Sequence, residues 1–164
     1  MSSVRSGWSP KKEDWQRLSA CINTHDIKWI QLKSFSKGSV QKVPNLPGIY
    51  MLCSLPPENK EPTLNELFTP LYIGQTKRGL KIRLNEHISK PQSSIKDVFK
   101  INGNLQVLYT TCKTASLDEI EDCLIRAFGP ITNIINAKNS VKILEPLSNK
   151  ASMGKKEKIK PIGD

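Results

Sequence analysis

The sequence predicts a small α/β domain of the α+β kind, preceded by a helical extension. Three observations predict it. Three short runs, GIYMLCS at 48–54, LYIG at 71–74 and LQVLYTTC at 105–112, are rich in aliphatic, aromatic and β-branched residues and read as strands. Two further segments, 79–89 and 116–128, repeat apolar residues at three and four positions, the spacing of one helix face. The length, 164 residues, suffices for one domain with a core plus extensions.

Residues 1–46 read as a basic N-terminal extension. Ser9-Pro10-Lys11-Lys12-Glu13 has the form of a helix start: a capping serine, a proline and an early acid. Trp15, Leu18 and Ile22 give that helix an apolar face, and Ile27, Trp29, Ile30 and Leu32 form a second cluster. Trp8, Trp15 and Trp29, all the tryptophans, lie in this extension and are expected to pack it onto the main domain rather than stack on bases. The central region, 47–136, holds the three strands and two helices. A polar, proline-rich insertion at 56–70 separates the first two strands, and a short helix is expected near 94–100. Ser116-Leu-Asp-Glu119 has the spacing of a capping box, and Gly129-Pro130 ends the helix it opens. Residues 137–164 form a lysine-rich tail.

Charge is unevenly spread. The total is +10. The extension has eight Lys/Arg against three acids (+5), the tail seven Lys against three acids (+4), leaving +1 for the centre. Basic flanks around a near-neutral centre suit either a polyanion held through phosphate contacts or a solubilising, loosely ordered tail. No apolar run reaches membrane-spanning length and no apolar leader opens the chain, so a cytoplasmic protein is expected. Cys21, Cys53, Cys112 and Cys123 form no C-x-x-C pair, and only His25 and His87 could join them. That spacing points to free thiols rather than a zinc site.

Two charges stand where apolar residues belong. Leu80, Arg83, Leu84, His87 and Ile88 share one helix face, as do Leu117, Ile120, Glu121, Leu124, Ile125 and Phe128. Inward polar groups need partners. Glu121 must be protonated, paired (Arg83 is a candidate) or bound to a cation such as Mg²⁺, which takes few protein ligands. A cation, an imidazole and a lone carboxylate are the parts that phosphodiester hydrolysis requires.

The ordered set PGIY, LYIGQT, LKIRLNEH, IEDCLI and FGPITN resembles the GIY-YIG nuclease family over residues 45–136. The resemblance implies a central three-stranded, mostly antiparallel sheet flanked by helices. Its implied site residues are Tyr50, Tyr72, Arg83, His87, Glu121 and Asn133. Glu121 would bind one Mg²⁺ or Mn²⁺. Arg83 would neutralise the scissile phosphate. Tyr50 and Tyr72 would reach the attacking water or the phosphate, His87 would help deprotonate that water through Tyr50, and Asn133 would support the site. The implied function is a metal-dependent DNA endonuclease leaving a 5′-phosphate and a 3′-hydroxyl. Tyr50 and Tyr72 are 22 positions apart, longer than in compact members. That insertion favours a restriction-type enzyme, which would cut as a homodimer on DNA. A nicking, repair or mobile-element nuclease, an RNA substrate, and a nucleic-acid-binding module with an idle site are the alternatives.

Overall fold

A computed structural model describes residues 7–54, 70–92, 95–96 and 105–130. The elements are α1 (Lys12–Thr24), β1 (Ile30–Leu32), α2 (Lys37–Val40), β2 (Gly48–Ser54), β3 (Pro70–Thr76), α3 (Leu80–Ser89), β4 (Leu105–Thr111) and α4 (Leu117–Phe128), the last entered through a 3-10 turn at Thr114–Ser116. The strands form one sheet in the order β1-β4-β2-β3, with every neighbouring pair antiparallel. The fold is therefore α+β, with a sheet one strand wider than the three-stranded expectation. The added strand is β1, where Ile30, Gln31 and Leu32 pair with Tyr109, Leu108 and Val107. Three residues are too short for a periodicity argument, so the sequence shows an apolar cluster there and no strand.

Strand β2 lies inside the sheet, and its side chains alternate between two cores. Ile49, Met51 and Cys53 join Leu18, Cys21 and Ile27 of the N-terminal region and Leu117, Ile120 and Leu124 of α4. Tyr50 and Leu52 join Val40, Val43, Leu80, Leu84, Val107 and Tyr109 on the other face. Helices α1 and α4 thus cover one face, and α2 and α3 the other.

The N-terminal segment is fastened to α4. The amide of Gly7 donates to the Gly129 carbonyl at 2.8 Å and that of Ser9 to the Ala127 carbonyl at 2.7 Å, so carbonyls at the helix end gain partners. Trp15 donates its indole N–H to the Ser9 carbonyl at 2.8 Å. Trp8, Trp15 and Phe128 meet edge to face, with centroids 5.3–6.2 Å apart.

The helix starts differ from their sequence signatures. Helix α1 begins at Lys12 with no side-chain cap; Ser9 bonds to the Asp14 carboxylate instead. At α4 the 3-10 turn puts Ser116 in a helical conformation, so its hydroxyl caps nothing and Glu119 is free to turn towards α1. A reciprocal capping box forms at Ser36 and Ser39 of α2. Gly129 closes α4 in the left-handed conformation, φ 53°. No helix among the described residues is long and apolar enough to cross a membrane. The insertion at 56–69, the tail at 137–164 and most of the helix expected near 94–100 lie outside the described residues.

Candidate active site

The centre of the site is Tyr50. It lies on β2 directly opposite Gly74 of β3, and its ring crosses the strand over that glycine. A Cβ at residue 74 would stand 2.5 Å from the Tyr50 hydroxyl and 2.8 Å from the Tyr72 ring, distances real Cβ atoms do not show. Gly74 therefore makes room for both tyrosines. Tyr72 precedes it by two and projects to the same face.

Helix α3 brings the remaining groups. It starts two residues after β3 turns at Lys77-Arg78, and Gly79 permits the sharp entry with φ 134°. Leu80, Leu84 and His87 are the buried residues of this helix. The His87 Nε2 lies 2.6 Å from the Tyr50 hydroxyl. The rings of Tyr50, Tyr72 and His87 form a triangle with centroids 5.5–6.0 Å apart.

Burial fixes the protonation pattern. It drives the His87 pKa down to about 4, with the Arg83 charge acting in the same sense. Burial likewise pushes the Tyr50 hydroxyl well above its ordinary value; Tyr72 adds to this and Arg83 opposes it. At neutral pH the pair is a neutral phenol and a neutral imidazole, and in the tautomer protonated on Nδ1 the Tyr50 O–H donates and His87 Nε2 accepts.

Arg83 stands one turn before His87 with its side chain 24% exposed. Its Nη1 donates to Glu86 at 3.1 Å, and Arg78 donates to the same carboxylate at 2.8 Å. The Glu86 carboxyl is held below its usual range by its hydrogen bond from Arg83, with Arg78 contributing. An open groove of about 700 Å³ runs along this helix, lined by Arg83, Asn85, Glu86, His87 and Lys90. An arginine whose partner is an exposed carboxylate can exchange that partner for a phosphate.

Glu121 is half-buried on α4, on the opposite side of the sheet from Tyr50 and His87, beside edge strand β3. The expected partner Arg83 is engaged by Glu86 instead. What reaches Glu121 is Gln75 of β3, which donates to it at 2.8 Å and to Asp118 at 2.7 Å. Burial pushes the Glu121 carboxyl up; the Gln75 hydrogen bond opposes this, and the charges of Asp118 and Asp122 add to the rise. Gln75 Oε1 is buried and has no hydrogen-bond partner among the described residues.

These residues fit a hydrated divalent cation. A carboxylate with no cationic partner among the described residues offers a ligand, and an orphaned amide oxygen beside it offers an acceptor for a metal-bound water. Sequence reasoning passed over Gln75, although it sits in LYIGQT. Its signal is strand alternation, which sends residue 75 to the α4 face while Tyr72 and Gly74 take the other.

The structure thus brings together four of the six expected residues, Tyr50, Tyr72, Arg83 and His87. Glu121 stands across β3 from them. Asn133 lies outside the described residues.

No protein-family model matches the chain, and no curated protein matches it. Among solved structures, the chain is similar to the GIY-YIG N-terminal endonuclease domain of UvrC from Thermotoga maritima bound to its catalytic magnesium. The identity is 18% and the TM-score 0.44, over 59% of this chain and 93% of that one. Two point-mutant forms of the same domain, each bound to its catalytic divalent cation, match at 17% and 16% identity. Their TM-scores are 0.44 and 0.43, over 58% and 59% of this chain and 91% and 92% of theirs.

Proposed function

We propose that this chain is a divalent-metal-dependent DNA endonuclease of the GIY-YIG kind. The observation that carries the reading is the buried Tyr50–His87 hydrogen bond at 2.6 Å, set beside Arg83 and Tyr72. A neutral phenol donating to a neutral imidazole is a proton relay. As water attacks phosphorus, it gives a proton to the Tyr50 oxygen while Tyr50 gives its own to His87 Nε2. The imidazole needs no prior deprotonation, because burial keeps it neutral down to about pH 4. Arg83 leaves Glu86 and takes a non-bridging phosphate oxygen, stabilising the charge that grows there. The phosphorus–O3′ bond breaks, and the leaving O3′ takes a proton from solvent, giving a 5′-phosphate and a 3′-hydroxyl. Glu121 would hold a Mg²⁺ or Mn²⁺ ion, with Gln75 orienting its carboxylate. The ion would supply charge neutralisation at the phosphate. Asn133 would support this shell.

The substrate we favour is DNA, drawn by the basic extension and tail. The insertion between Tyr50 and Tyr72 supports a restriction-type enzyme acting as a homodimer. The four cysteines are free thiols, which suits the cytoplasm.

The test is cleavage of supercoiled plasmid with Mg²⁺, beside Glu121→Ala and a chelator control. Discrete linear fragments from the wild type alone are the expected result. Full cleavage by Glu121→Ala would remove that residue from the mechanism. Tight, salt-dependent binding with no cleavage of plasmid, branched DNA or RNA would make the chain a binding module instead.

A further inference from the structure

A second group of ligating side chains lies away from the tyrosine cluster, on the α1–α4 face of the sheet. Cys21 and His25 stand four positions apart at the end of α1, and therefore on one side of it. Glu119 and Cys123 repeat that spacing on α4, which packs against α1. The Cys21 Sγ, a His25 ring nitrogen and a Glu119 carboxylate oxygen all lie within 4.8 Å of one another. His25 Nε2 and Glu119 Oε2 are 3.0 Å apart. Cys123 is buried in the same core cluster as Cys21, close enough for its thiol to affect the ionisation of Cys21.

We infer that Cys21, His25, Glu119 and Cys123 form a structural site for a borderline-soft divalent cation, Zn²⁺, that joins α1 to α4. The donor set is two thiols, an imidazole and a carboxylate, the mixture that Zn²⁺ takes in four-coordinate sites. The polarity of the site is graded as an inserted ion requires: Cys21 and Cys123 are buried, His25 is partly covered, and Glu119 faces solvent. Separations of 3.0–4.8 Å among the Cys21, His25 and Glu119 donor atoms are near those of tetrahedral ligands around one ion. Cys123, beside Cys21, would turn in as the fourth ligand. Linear spacing hides this site, since each helix supplies half of it. The failed capping box at Ser116 bears on it directly, because Glu119 turns to His25 instead of back to its own helix start. Glu121, where the Mg²⁺ of the proposed reaction would sit, is a separate carboxylate, so the two sites can be told apart.

The experiment uses the full chain, reduced and freed of metal, titrated with Zn²⁺ and in parallel with Co²⁺ as a spectroscopic probe. One equivalent of Zn²⁺ should bind and raise Tm. Co²⁺ should give tetrahedral ligand-field bands with thiolate charge transfer. His25→Ala, a partly exposed change that leaves the core filled, should weaken Zn²⁺ by more than the about 10–100-fold typical of losing an outer-shell partner. Cys21→Ser should abolish the charge-transfer band, and Glu121→Ala should keep the spectrum. No Zn²⁺ uptake by the wild type, an octahedral Co²⁺ spectrum without thiolate bands, or unchanged Zn²⁺ affinity in His25→Ala would each overturn the assignment.

Discussion

Acid should unfold this protein partly through one imidazole. His87 is 1% exposed, and burial lowers its pKa from 6.5 to about 4. The unfolded chain therefore binds a proton at this residue between those values, while the folded chain does not. Stability contributed by the neutral ring is present above pH 6.5 and is lost as pH falls towards 4. Integrated to pH 4.5, the two pKa values give a loss of about 2.5 kcal/mol relative to pH 8. Other groups titrate in the same range. Glu121, with its raised pKa, opposes the loss, and Glu86, with its lowered one, adds to it. A difference measurement removes both. His87→Gln keeps an acceptor for the Tyr50 hydroxyl and has no proton to gain. Urea unfolding of wild type and variant at pH 7 and 4.5 should show the wild type losing about 2–3 kcal/mol more than the variant. The His87 ring proton, one of only two histidine sets in the NMR spectrum, should stay at its neutral shift down to about pH 4. Equal losses in the two proteins, or a ring titrating near 6.5, would refute the reasoning, and with it the idea that the relay is pre-set as a neutral pair.

Gly74→Ala drives a methyl to 2.5 Å from the Tyr50 hydroxyl, and the ring cannot retreat from His87. A displacement of about 1 Å should cost about 100-fold in plasmid cleavage, with a stability loss of about 1–3 kcal/mol in urea unfolding. Tyr50→Phe removes the relay proton while keeping the ring, so cleavage should fall by about 100-fold or more, with a stability loss of about 1–3 kcal/mol from the unpaired His87 nitrogen. Gln75→Met frees Glu121 from its hydrogen bond and should raise the Mg²⁺ concentration for half-maximal cleavage by about 10–100-fold. Trp15→Ala breaks the aromatic cluster on α4 and should cost about 2–3 kcal/mol by urea unfolding.

Much of this architecture is legible in the linear chain where side chains follow a regular period. The alternation of Tyr50 and Leu52 against Ile49 and Met51 follows from strand geometry, and the inward turn of His87 follows from its place among Leu80 and Leu84. What the chain does not disclose depends on distant elements. The apolar residues of α4 place Leu117, Ile120, Glu121, Leu124, Ile125 and Phe128 on one face. Leu117, Ile120 and Leu124 are buried there, but Cys123 and Ala127 are buried with them while Ile125 and Phe128 are only partly covered, because α1 docks beside Cys123 and Ala127 and shifts the covered face. Arg83 was a candidate partner for Glu121, yet Glu86, one turn along the same helix, takes it. Gln75 and the Cys21–His25–Glu119 group become visible only when strands and helices are laid side by side.

Strand β1 bears on how the chain is made. Ile30 leaves the ribosome long before Tyr109, the residue that will face it in the sheet. Until then Leu18, Cys21 and Ile27 have no sheet to cover, since Ile49, Met51 and α4 also come later in the chain. This segment is therefore made before the strands and helix it packs on, and its tryptophans stay open to other company meanwhile. The eight positive charges of residues 1–46 keep that waiting segment polar enough to remain dispersed.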